Sequence, residues 1–400
     1  MSLFLDLVAV SEAVRVLHAC APELPTELVP LPGALNRILA APVAAREDIP
    51  GFSRSVVDGY AVYAADTTGA GEAIPAMLAI TGRIAMGEGD IPSLSRGECM
   101  YVPTGGILPA GADAVAMIEY SEEMGRDVLV RRAVAPGENV TLRGDDFRRG
   151  DPVFEPGRHL SPRDLGVLGG LGYGTVPVIR RPKIGIISTG NELVPVDRVP
   201  GPGEIRDVNT YLCYGYACER GGDPELFGIV PDEREALEDV IRRAVRSCDL
   251  ILVSGGSSKG ERDMCAAIIE EMGTVHIHGI ALAPGKPTII GTIGATPVIG
   301  LPGHPASSYV VLIALVDELI GAMTRSGIHR RIRTATLKTN ISSARGREDY
   351  VRVRLEGDDA VPLFGKSGLT NTLIYSTGLV RVPESREGLE KGEEVEVILW

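Results

Sequence analysis

The sequence predicts a multidomain protein of the α/β plus β class, in which a central α/β domain lies between β-rich segments. A chain of 400 residues exceeds what one hydrophobic core usually serves. Apolar strands alternate with amphipathic helices between residues 181 and 328, whereas short alternating segments bounded by glycine and proline occur on both sides. The 49 glycines and 28 prolines predict many tight turns, which suits strand-rich and α/β architectures.

The N-terminal part predicts one helix followed by a β-rich region. Residues 51–140 contain short alternating segments, and residues 146–180 return to turns around one short predicted helix at 162–168. Five apolar side chains at helical spacing share one face of the first 21 residues: Leu3, Leu7, Val10, Val14 and Leu17. The clearest alternating segments of the β-rich region are 77–81, 98–102, 115–119 and 128–131.

The central region predicts a mostly parallel sheet with helices on both faces. It begins with a continuous apolar strand at 183–188 and a helix after Asn209. A second helix is predicted at 231–248, because Asp232 and Glu235 have the spacing of a capping box. Further strands are predicted at 250–254, 274–278 and 297–301, and further helices at 264–272 and 306–323.

The last segment, 331–400, reverts to alternating apolar and polar residues. Its predicted strands lie at 334–339, 350–355, 379–383 and 393–399. We therefore expect a separate β domain after the α/β core.

Composition and charge narrow the function classes. A net charge of −13 argues against sequence-independent binding to nucleic acid. Six scattered cysteines without a C-x-x-C pair favour buried thiols in a reducing compartment. Asp6 and Glu12 interrupt the first apolar stretch, and Asp317 and Glu318 follow the apolar run 310–316, so neither a signal peptide nor a membrane span is expected. The expected location is cytoplasmic, with no nucleic-acid or membrane partner.

Three loops carry residue types that bind phosphate groups. Each follows a predicted strand, and ligands of open α/β sheets bind outside the carboxyl ends of the strands. Glycines let the backbone approach a phosphate, and the amides of such turns carry partial positive charge. One such turn alone would be only a turn, but three in one sheet favour a ligand crevice. The candidate binding residues are Ser188, Thr189, Gly190, Ser254, Gly255, Gly256, Pro302 and Gly303.

Carboxylates accompany two of these loops, since Glu192 follows the first and Asp263 the second. Beside a phosphate pocket they would be repulsive unless a divalent cation lay between them, and Mg²⁺ is typically held by carboxylates plus phosphate oxygens. Glu192 and Asp263 are therefore candidate metal ligands, whereas Asp207 is better explained as a helix N-cap. Lys286, on a turn between two prolines, suits an anion hook, with a solvated surface charge as the alternative.

Taken together, these segments resemble the MoeA family of molybdopterin molybdenumtransferases, which also includes the E domain of gephyrin. From pattern alone, Asp58 and the glycine after it would be a simple turn, but the family's P-x-F-x-x-S-x-x-D-G-Y-A signature is matched from Pro50 to Ala61. T-G-x-x-x-P-x-G-A-D-A-V is matched at 104–115 and G-x-N-V-R-x-x-G-E-D at 137–146. The core motifs S-T-G-x-E-L, S-G-G-x-S-x-G-x-x-D, P-G-K-P and G-L-P-G-N-P-x-S recur at 188–193, 254–263, 284–287 and 300–307, with His304 in place of the usual asparagine.

The resemblance implies an elongated homodimer with a three-layer α/β core of the MoCF/MogA type and a C-terminal β barrel. The implied domains are 1–50 with 141–180, the inserted β-rich 51–140, the α/β domain 181–328 and the barrel 329–400. The active site would lie between the core and N-terminal segments of the partner subunit.

The implied reaction inserts molybdate into adenylylated molybdopterin, with Mg²⁺-assisted release of AMP. By resemblance, Asp58, Glu192 and Asp263 match the family's essential acids, and Thr104 and Asp146 match its N-terminal cleft residues. The implied molybdate-binding residues are Lys286, Ser307, Arg352 and Ser367. Cations and hydroxyl donors of this kind suit a dianion such as molybdate.

Two departures from the family pattern leave details open. Ala283 stands where the family often has lysine, and Thr141 stands where it usually has arginine. One cation fewer leaves the preference between molybdate and tungstate undecided. Two other functions remain as alternatives: a molybdopterin (MPT) adenylyltransferase, which shares the core domain and is also an expected partner, and a non-catalytic molybdopterin-binding scaffold.

Overall fold

Residues 7–255, 259–327 and 330–400 are described by a computed structural model, in which the side chains of 259–263 lie outside the description. Helices and strands are numbered below in chain order. The described residues contain three six-stranded sheets, one in each of the regions 59–130, 183–301 and 282–399.

The N-terminal segment and the segment that follows the inserted sheet pack together in one core cluster. The first segment contains α1 (Val10–Cys20), β1 (Thr26–Pro30) and β2 (Val43–Ala44). The insertion contains β3 (Arg54–Ser55), β4 (Gly59–Val62), β5 (Ala76–Arg83), β6 (Glu98–Val102), β7 (Ala114–Met117), β8 (Ser121–Met124), β9 (Asp127–Val130) and β10 (Val140–Thr141). The returning segment contains β11 (Pro152–Phe154), α2 (Pro162–Gly170) and β12 (Thr175–Ile179).

Strand pairing shows how the returning segment closes on the first one. β1 pairs with β12 and β2 with β11, and at the base of the insertion β3 pairs with β10, all antiparallel. Between them, the strands β4 to β9 form a sheet in the order β7-β4-β6-β5-β9-β8. The predicted β-rich region at 51–140 is therefore present, while the domain boundaries themselves stay a prediction.

The central region forms a three-layer α/β domain. Its elements are β13 (Lys183–Thr189), β14 (Leu193–Val194), β15 (Ile205–Arg206), α3 (Asn209–Glu219), β16 (Asp223–Val230), α4 (Arg234–Ser247), β17 (Leu250–Gly255), α5 (Lys259–Met272), β18 (Thr274–His278), β19 (Leu282–Ala283), β20 (Ile289–Ile293), β21 (Thr296–Leu301), α6 (Pro305–Val311) and α7 (Asp317–Thr324). A π-helical segment, Leu312–Val316, joins the last two helices. The sheet order is β16-β13-β17-β21-β20-β18, and its first four strands are parallel.

Two apolar cores cover the two faces of this sheet. One joins Ile184 and Ile186 of β13 to α1, α3 and the helical stretch 305–324, and the other joins Ile187 to α4 and α5. Alternate residues of one strand thus face opposite layers, as the pleat requires. The prediction of a mostly parallel sheet covered on both faces is confirmed.

The C-terminal region closes into a five-stranded barrel. Its elements are β22 (Arg331–Leu337), β23 (Ile341–Ser342), β24 (Glu348–Glu356), β25 (Asp359–Pro362), α8 (Asn371–Tyr375), β26 (Gly378–Val382), β27 (Gly388–Leu389) and β28 (Glu394–Leu399). The order β24-β25-β22-β28-β26 closes because β26 also pairs with β24. β19 of the central region pairs with β24 in parallel, which attaches the barrel to the α/β domain.

One helical stretch, Pro305–Thr324, is long and apolar enough to cross a membrane by length and composition. However, 78% of its most apolar window is buried inside the molecule. It packs in the core cluster that also contains Ile184 and Ile186, so it is a core helix of the α/β domain.

Candidate active site

The three glycine-containing loops begin side by side at one edge of the α/β sheet. Because β13, β17 and β21 are parallel neighbours, their carboxyl ends point the same way. Ser188 is in register with Ser254, and Ser254 is in register with Leu301. The structure therefore brings the predicted phosphate-binding loops together, as ligand sites of open α/β sheets require.

Close packing between the first two loops explains one of their glycines. A Cβ on Gly255 would lie only 2.2 Å from the carbonyl oxygen of Thr189. Gly255 also has a φ of +155°. A side chain at this position would therefore push the ends of β13 and β17 apart.

Asp232 fixes the first loop. Its Oδ1 accepts a hydrogen bond from Thr189 Oγ1 at 2.7 Å, and its Oδ2 accepts one from the backbone N–H of Asn191 at 3.0 Å. The predicted capping box is wrong, since α4 begins at Arg234 and its N-cap, Glu233, makes no side-chain capping bond. The Asp232 carboxylate reaches the loop because β16 runs parallel to β13 and ends at Val230, in register with Thr189.

Asn209 clamps the second loop to the third. Its buried Nδ2 donates to Ser254 Oγ at 2.7 Å and to the carbonyl oxygen of Gly303 at 2.8 Å. Asn209 is the first residue of α3, whose N-cap position is Val208 and not Asp207 as predicted. Asp207 Oδ1 nevertheless accepts a hydrogen bond from Thr210 N in the first turn at 3.1 Å. The Asn209 hydrogen bonds of 2.7 and 2.8 Å to the two loops hold the crevice in one shape.

The Glu192 carboxylate folds back over the first loop. A Cβ on Gly190 would lie 2.7 Å from Glu192 Oε2, which shows how closely the carboxylate approaches the backbone of this loop. Gly256 and the side chain of Asp263, the second candidate metal ligand, lie outside the described residues. Within the described part of the chain, no group of three or more histidine, cysteine, aspartate or glutamate side chains has metal-binding spacing.

A buried guanidinium marks the predicted oxyanion pocket. Arg352 on β24 is 9% exposed, and its Nη2 donates to the carbonyl oxygen of Gly365 at 2.8 Å. Its Nη1 is buried and has no hydrogen-bond partner among the described residues. Burial lowers the pKa of Arg352, because the charged form loses its hydration.

The barrel loop that holds Gly365 also reaches the third loop of the sheet. Ser367 Oγ lies 2.9 Å from His304 Nδ1, and Ala306 N donates to the carbonyl oxygen of Ser367 at 3.2 Å. Ser307, 5% exposed, is the next residue of the same helix start. Three of the four candidate molybdate residues, Ser307, Arg352 and Ser367, are thus connected through adjoining segments.

Lys286 occupies a separate turn of the same region. It is exposed and follows β19, the strand that runs parallel to β24 with Ala283 in register with Asp349. Arg352 lies three residues further along β24. The described contacts include no hydrogen bond from the Lys286 ammonium group. An exposed lysine at this position fits both predicted roles, anion binding and a solvated surface charge.

The remaining acid, Asp58, lies directly before β4 of the inserted sheet. Its Oδ1 accepts from Thr104 N at 2.7 Å and from Thr104 Oγ1 at 3.1 Å, so these two candidates are brought together. Gly59 is required beside them, since a Cβ would lie 2.1 Å from the carbonyl oxygen of Ala116. Asp146 is exposed on the neighbouring segment that follows β10. Among the described residues, no hydrogen bond joins Asp58 or Thr104 to the loops of the α/β sheet in the same chain.

Comparisons with known proteins agree along the whole chain. Family models match in chain order the MoeA N-terminal region (domain I and II) at residues 8–172, a probable molybdopterin binding domain at 185–321 and the MoeA C-terminal region (domain IV) at 334–400. A putative molybdopterin biosynthesis protein from Methanocaldococcus jannaschii is 36% identical over 92% of this chain and 90% of its own length. The chain belongs to the MoeA family.

Further relatives of this MoeA-family chain support that assignment. The molybdopterin molybdenumtransferase of Bacillus subtilis is 30% identical over 98% of this chain and 94% of its own length. Two crystal structures of molybdopterin biosynthesis MoeA proteins from Pyrococcus horikoshii superpose with TM-scores of 0.87 and 0.88, at 38% and 31% identity. They cover 98% and 99% of this chain, and 99% and 100% of their own chains.

Three residues with a part in this MoeA-family site were not found from the sequence. Asp232 was assigned to a helix cap, Asn209 was noted only as the start of a helix, and His304 only as a departure from a motif. Asp232 stands at the ligand edge because it follows β16, a strand that the sequence pattern does not reveal. Asn209 and His304 act through residues 45 and 63 positions away, a separation that local pattern does not reveal.

Proposed function

We propose that this chain is a molybdopterin molybdenumtransferase, which inserts molybdate into adenylylated molybdopterin and releases AMP. Membership of the MoeA family assigns the chain to molybdenum cofactor biosynthesis. The observation that carries the finer proposal is the buried guanidinium of Arg352, which has an unpartnered N–H at the junction of barrel and sheet.

A buried, unsatisfied cation is costly unless an anion completes it. Arg352 is therefore assigned to the incoming oxyanion, which its Nη1 would hold by a charge-assisted hydrogen bond. Ser307 and Ser367 supply neutral hydroxyl donors, and Lys286 supplies a second cation from its exposed turn. This set binds a tetrahedral dianion without requiring a basic protein surface.

The sheet edge is assigned to adenylylated molybdopterin. Ser188, Thr189, Gly190, Ser254, Gly255, Gly256, Pro302 and Gly303 would line its phosphate-bearing part through hydroxyl groups and backbone amides. Asp232 and Asn209 keep the first loop in place and the second and third loops together. A preshaped crevice of this kind holds the reacting groups in position before the reaction begins.

The Glu192 carboxylate lies against the backbone of the first loop and fits a divalent cation, because Mg²⁺ prefers oxygen ligands. Glu192 and Asp263 would hold the ion. When bound, Mg²⁺ would neutralise charge on the phosphate oxygens of the leaving AMP.

Asp58, Thr104 and Asp146 are assigned to the opposite wall of the site, contributed by a second copy of the chain. The support is that the Asp58–Thr104 pair has no described hydrogen bond to the sheet loops of its own chain. The proposed assembly is a homodimer, with an MPT adenylyltransferase as the supplier of the substrate and the cytoplasm as the location.

A direct assay separates this proposal from an adenylyltransferase activity. The chain is mixed either with molybdopterin and ATP, or with adenylylated molybdopterin and molybdate. The proposal expects molybdate-dependent AMP release in the second mixture and no adenylylated product in the first. Adenylylation in the first mixture would favour the alternative enzyme, and inactivity in both would favour a binding scaffold.

A further inference from the structure

His304 connects the α/β domain to the barrel, and the proposed reaction leaves it without a role. Its Nδ1 lies 2.9 Å from Ser367 Oγ. The ring also lies beside Gly368, where an added Cβ would be 3.6 Å from Cδ2. The Ala306 N–H holds the backbone of Ser367 from the same helix start. The segment 365–368 is therefore fixed at three points: by Arg352, by Ala306 and by the His304 ring.

The direction of the His304–Ser367 hydrogen bond decides what the serine can do. If Nδ1 accepts, the hydroxyl proton of Ser367 is used within the protein. If Nδ1–H donates to the oxygen, the hydroxyl proton is free to be donated to an anion. Only the second arrangement lets Ser367 act as an oxyanion donor.

We propose that His304 is a positioning residue for oxyanion binding, which donates from Nδ1–H to Ser367 and turns the Ser367 hydroxyl proton toward the pocket. The inference rests on the proposed function, because it takes the oxyanion site to be that of Ser307, Ser367 and Arg352. It adds that the imidazole sets oxyanion affinity without touching the anion.

The small number of cations in the pocket makes the direction of the Ser367 hydroxyl proton important for oxyanion affinity. Alanine at position 283 leaves Lys286 and Arg352 as the cations proposed for the oxyanion. With few charges, a correctly directed neutral donor contributes a larger share of the affinity. One hydrogen bond of this type changes binding by roughly three- to tenfold.

The test compares four variants of the full chain: His304→Ala, His304→Asn, Ser367→Ala and the double His304→Ala/Ser367→Ala. Binding of sodium molybdate and sodium tungstate is measured by calorimetry, and kcat and the KM for molybdate are measured with adenylylated molybdopterin. His276→Ala is the matched control, because His276 is also exposed and lies 3.0 Å from a hydroxyl, Thr292 Oγ1, at the edge strand β18. Thermal unfolding checks that each variant is folded.

We expect His304→Ala to raise the molybdate Kd and KM by roughly three- to tenfold, with kcat changed less than about twofold. His304→Asn should recover most of the loss, since its amide can donate from a similar place. The double variant should bind no worse than Ser367→Ala, because both changes remove the same donor. In ¹⁵N NMR spectra, His304 should carry its proton on Nδ1.

Three results would overturn the inference: His304→Ala binding within the range of His276→Ala, additive losses in the double variant, or an unprotonated Nδ1. These leave the proposed function standing if the wild-type chain binds and uses molybdate. A wild-type chain that neither binds nor uses molybdate would remove the proposed function and this inference together.

Discussion

Arg352 combines burial, charge and an unpartnered N–H, which a protein retains only if something else completes the group. Desolvation lowers the pKa of its guanidinium, so the ligand-free protein bears a free-energy cost for keeping the charge there. Such a cost is expected at a binding residue, because an anion that pairs with the guanidinium removes the desolvation cost and binds more tightly as a result.

Replacing Arg352 by methionine separates affinity from stability. We expect the molybdate Kd to rise roughly tenfold or more, because a charge-assisted hydrogen bond is lost. The free energy of unfolding of the ligand-free protein should stay equal or rise, since a buried charge is removed. Arg354→Met on the same strand is the control, because Arg354 is half-exposed and pairs with Glu356. A variant that binds molybdate like wild type would contradict the assignment.

Gly59 makes one close backbone contact beside Asp58, a carboxylate proposed for the site. Gly59→Ala would place a Cβ 2.1 Å from the carbonyl oxygen of Ala116, so β4 and β7 must separate. We expect a loss of about 1–3 kcal/mol in the free energy of unfolding of this region, and a lower kcat because Asp58 precedes the glycine. Denaturant unfolding and turnover are the measurements. Gly71→Ala, where nothing lies within 4 Å, should change neither, and equal effects of the two variants would refute the explanation.

At the scale of elements, much of the α/β domain was predictable because buried parallel strands form continuous apolar runs in the sequence. β13, β17 and β21 were found in this way, and their carboxyl ends located the crevice. β16 was missed because most of its residues are exposed or half-exposed, and a register shift interrupts its pairing with β13. β20 was also missed, and it is the one strand of this six-stranded sheet that runs antiparallel to its neighbours.

The candidate site was less predictable than the fold, for a physical reason. Loops at strand ends follow from local pattern, but the contacts that shape them join distant segments. Asn209 bonds to Ser254 and Gly303, and His304 lies beside Ser367, so neither contact leaves a local signature. The placement of Arg352 depends on β19 pairing with β24, which only the assembled barrel reveals.

A buried ion cluster fixes the helices behind the crevice. Asp317, 5% exposed at the start of α7, accepts from Tyr216 of α3 at 2.5 Å and lies 2.9 Å from Arg220 Nε. Arg330, at the entry to the barrel, lies 3.8 Å from the second carboxylate oxygen. Removing the acid would leave Arg220 without this counter-charge, and Arg330 would keep only Glu318, 3.4 Å away.

Asp317→Ala is therefore expected to lower the free energy of unfolding by about 3–5 kcal/mol, measured by denaturant titration. Asp239→Ala supplies the comparison, because Asp239 is an exposed partner of Arg243 at 4.0 Å and should change stability by less than about 0.5 kcal/mol. Similar losses in both variants would show that burial of the cluster contributes little.

At the scale of the whole molecule, the proposed site divides between two chains. Asp58 lies directly before β4 of the inserted sheet and Glu192 on the α/β domain, so each subunit of a homodimer would give one wall to each site. This arrangement predicts complementation between two inactive variants, Asp58→Ala and Glu192→Ala. In a heterodimer of the two, one site would carry both substitutions and the other would be intact.

Random re-pairing of equal amounts of the two variants should restore about one quarter of wild-type activity, because half of the dimers would contain one intact site out of two. Turnover after co-expression or subunit exchange is the measurement. The doubly substituted chain mixed with itself is the control and should stay inactive. No recovery in an exchanged dimer would place both carboxylates in the same chain's site.

Release of AMP from purified adenylylated molybdopterin, followed with and without molybdate, tests the central claim most directly. With Mg²⁺ present, wild-type chain should release AMP only when molybdate is added, and Glu192→Gln should abolish that release. AMP release that is independent of molybdate, or that persists in Glu192→Gln at the wild-type rate, would contradict the assignment of this crevice to molybdenum insertion.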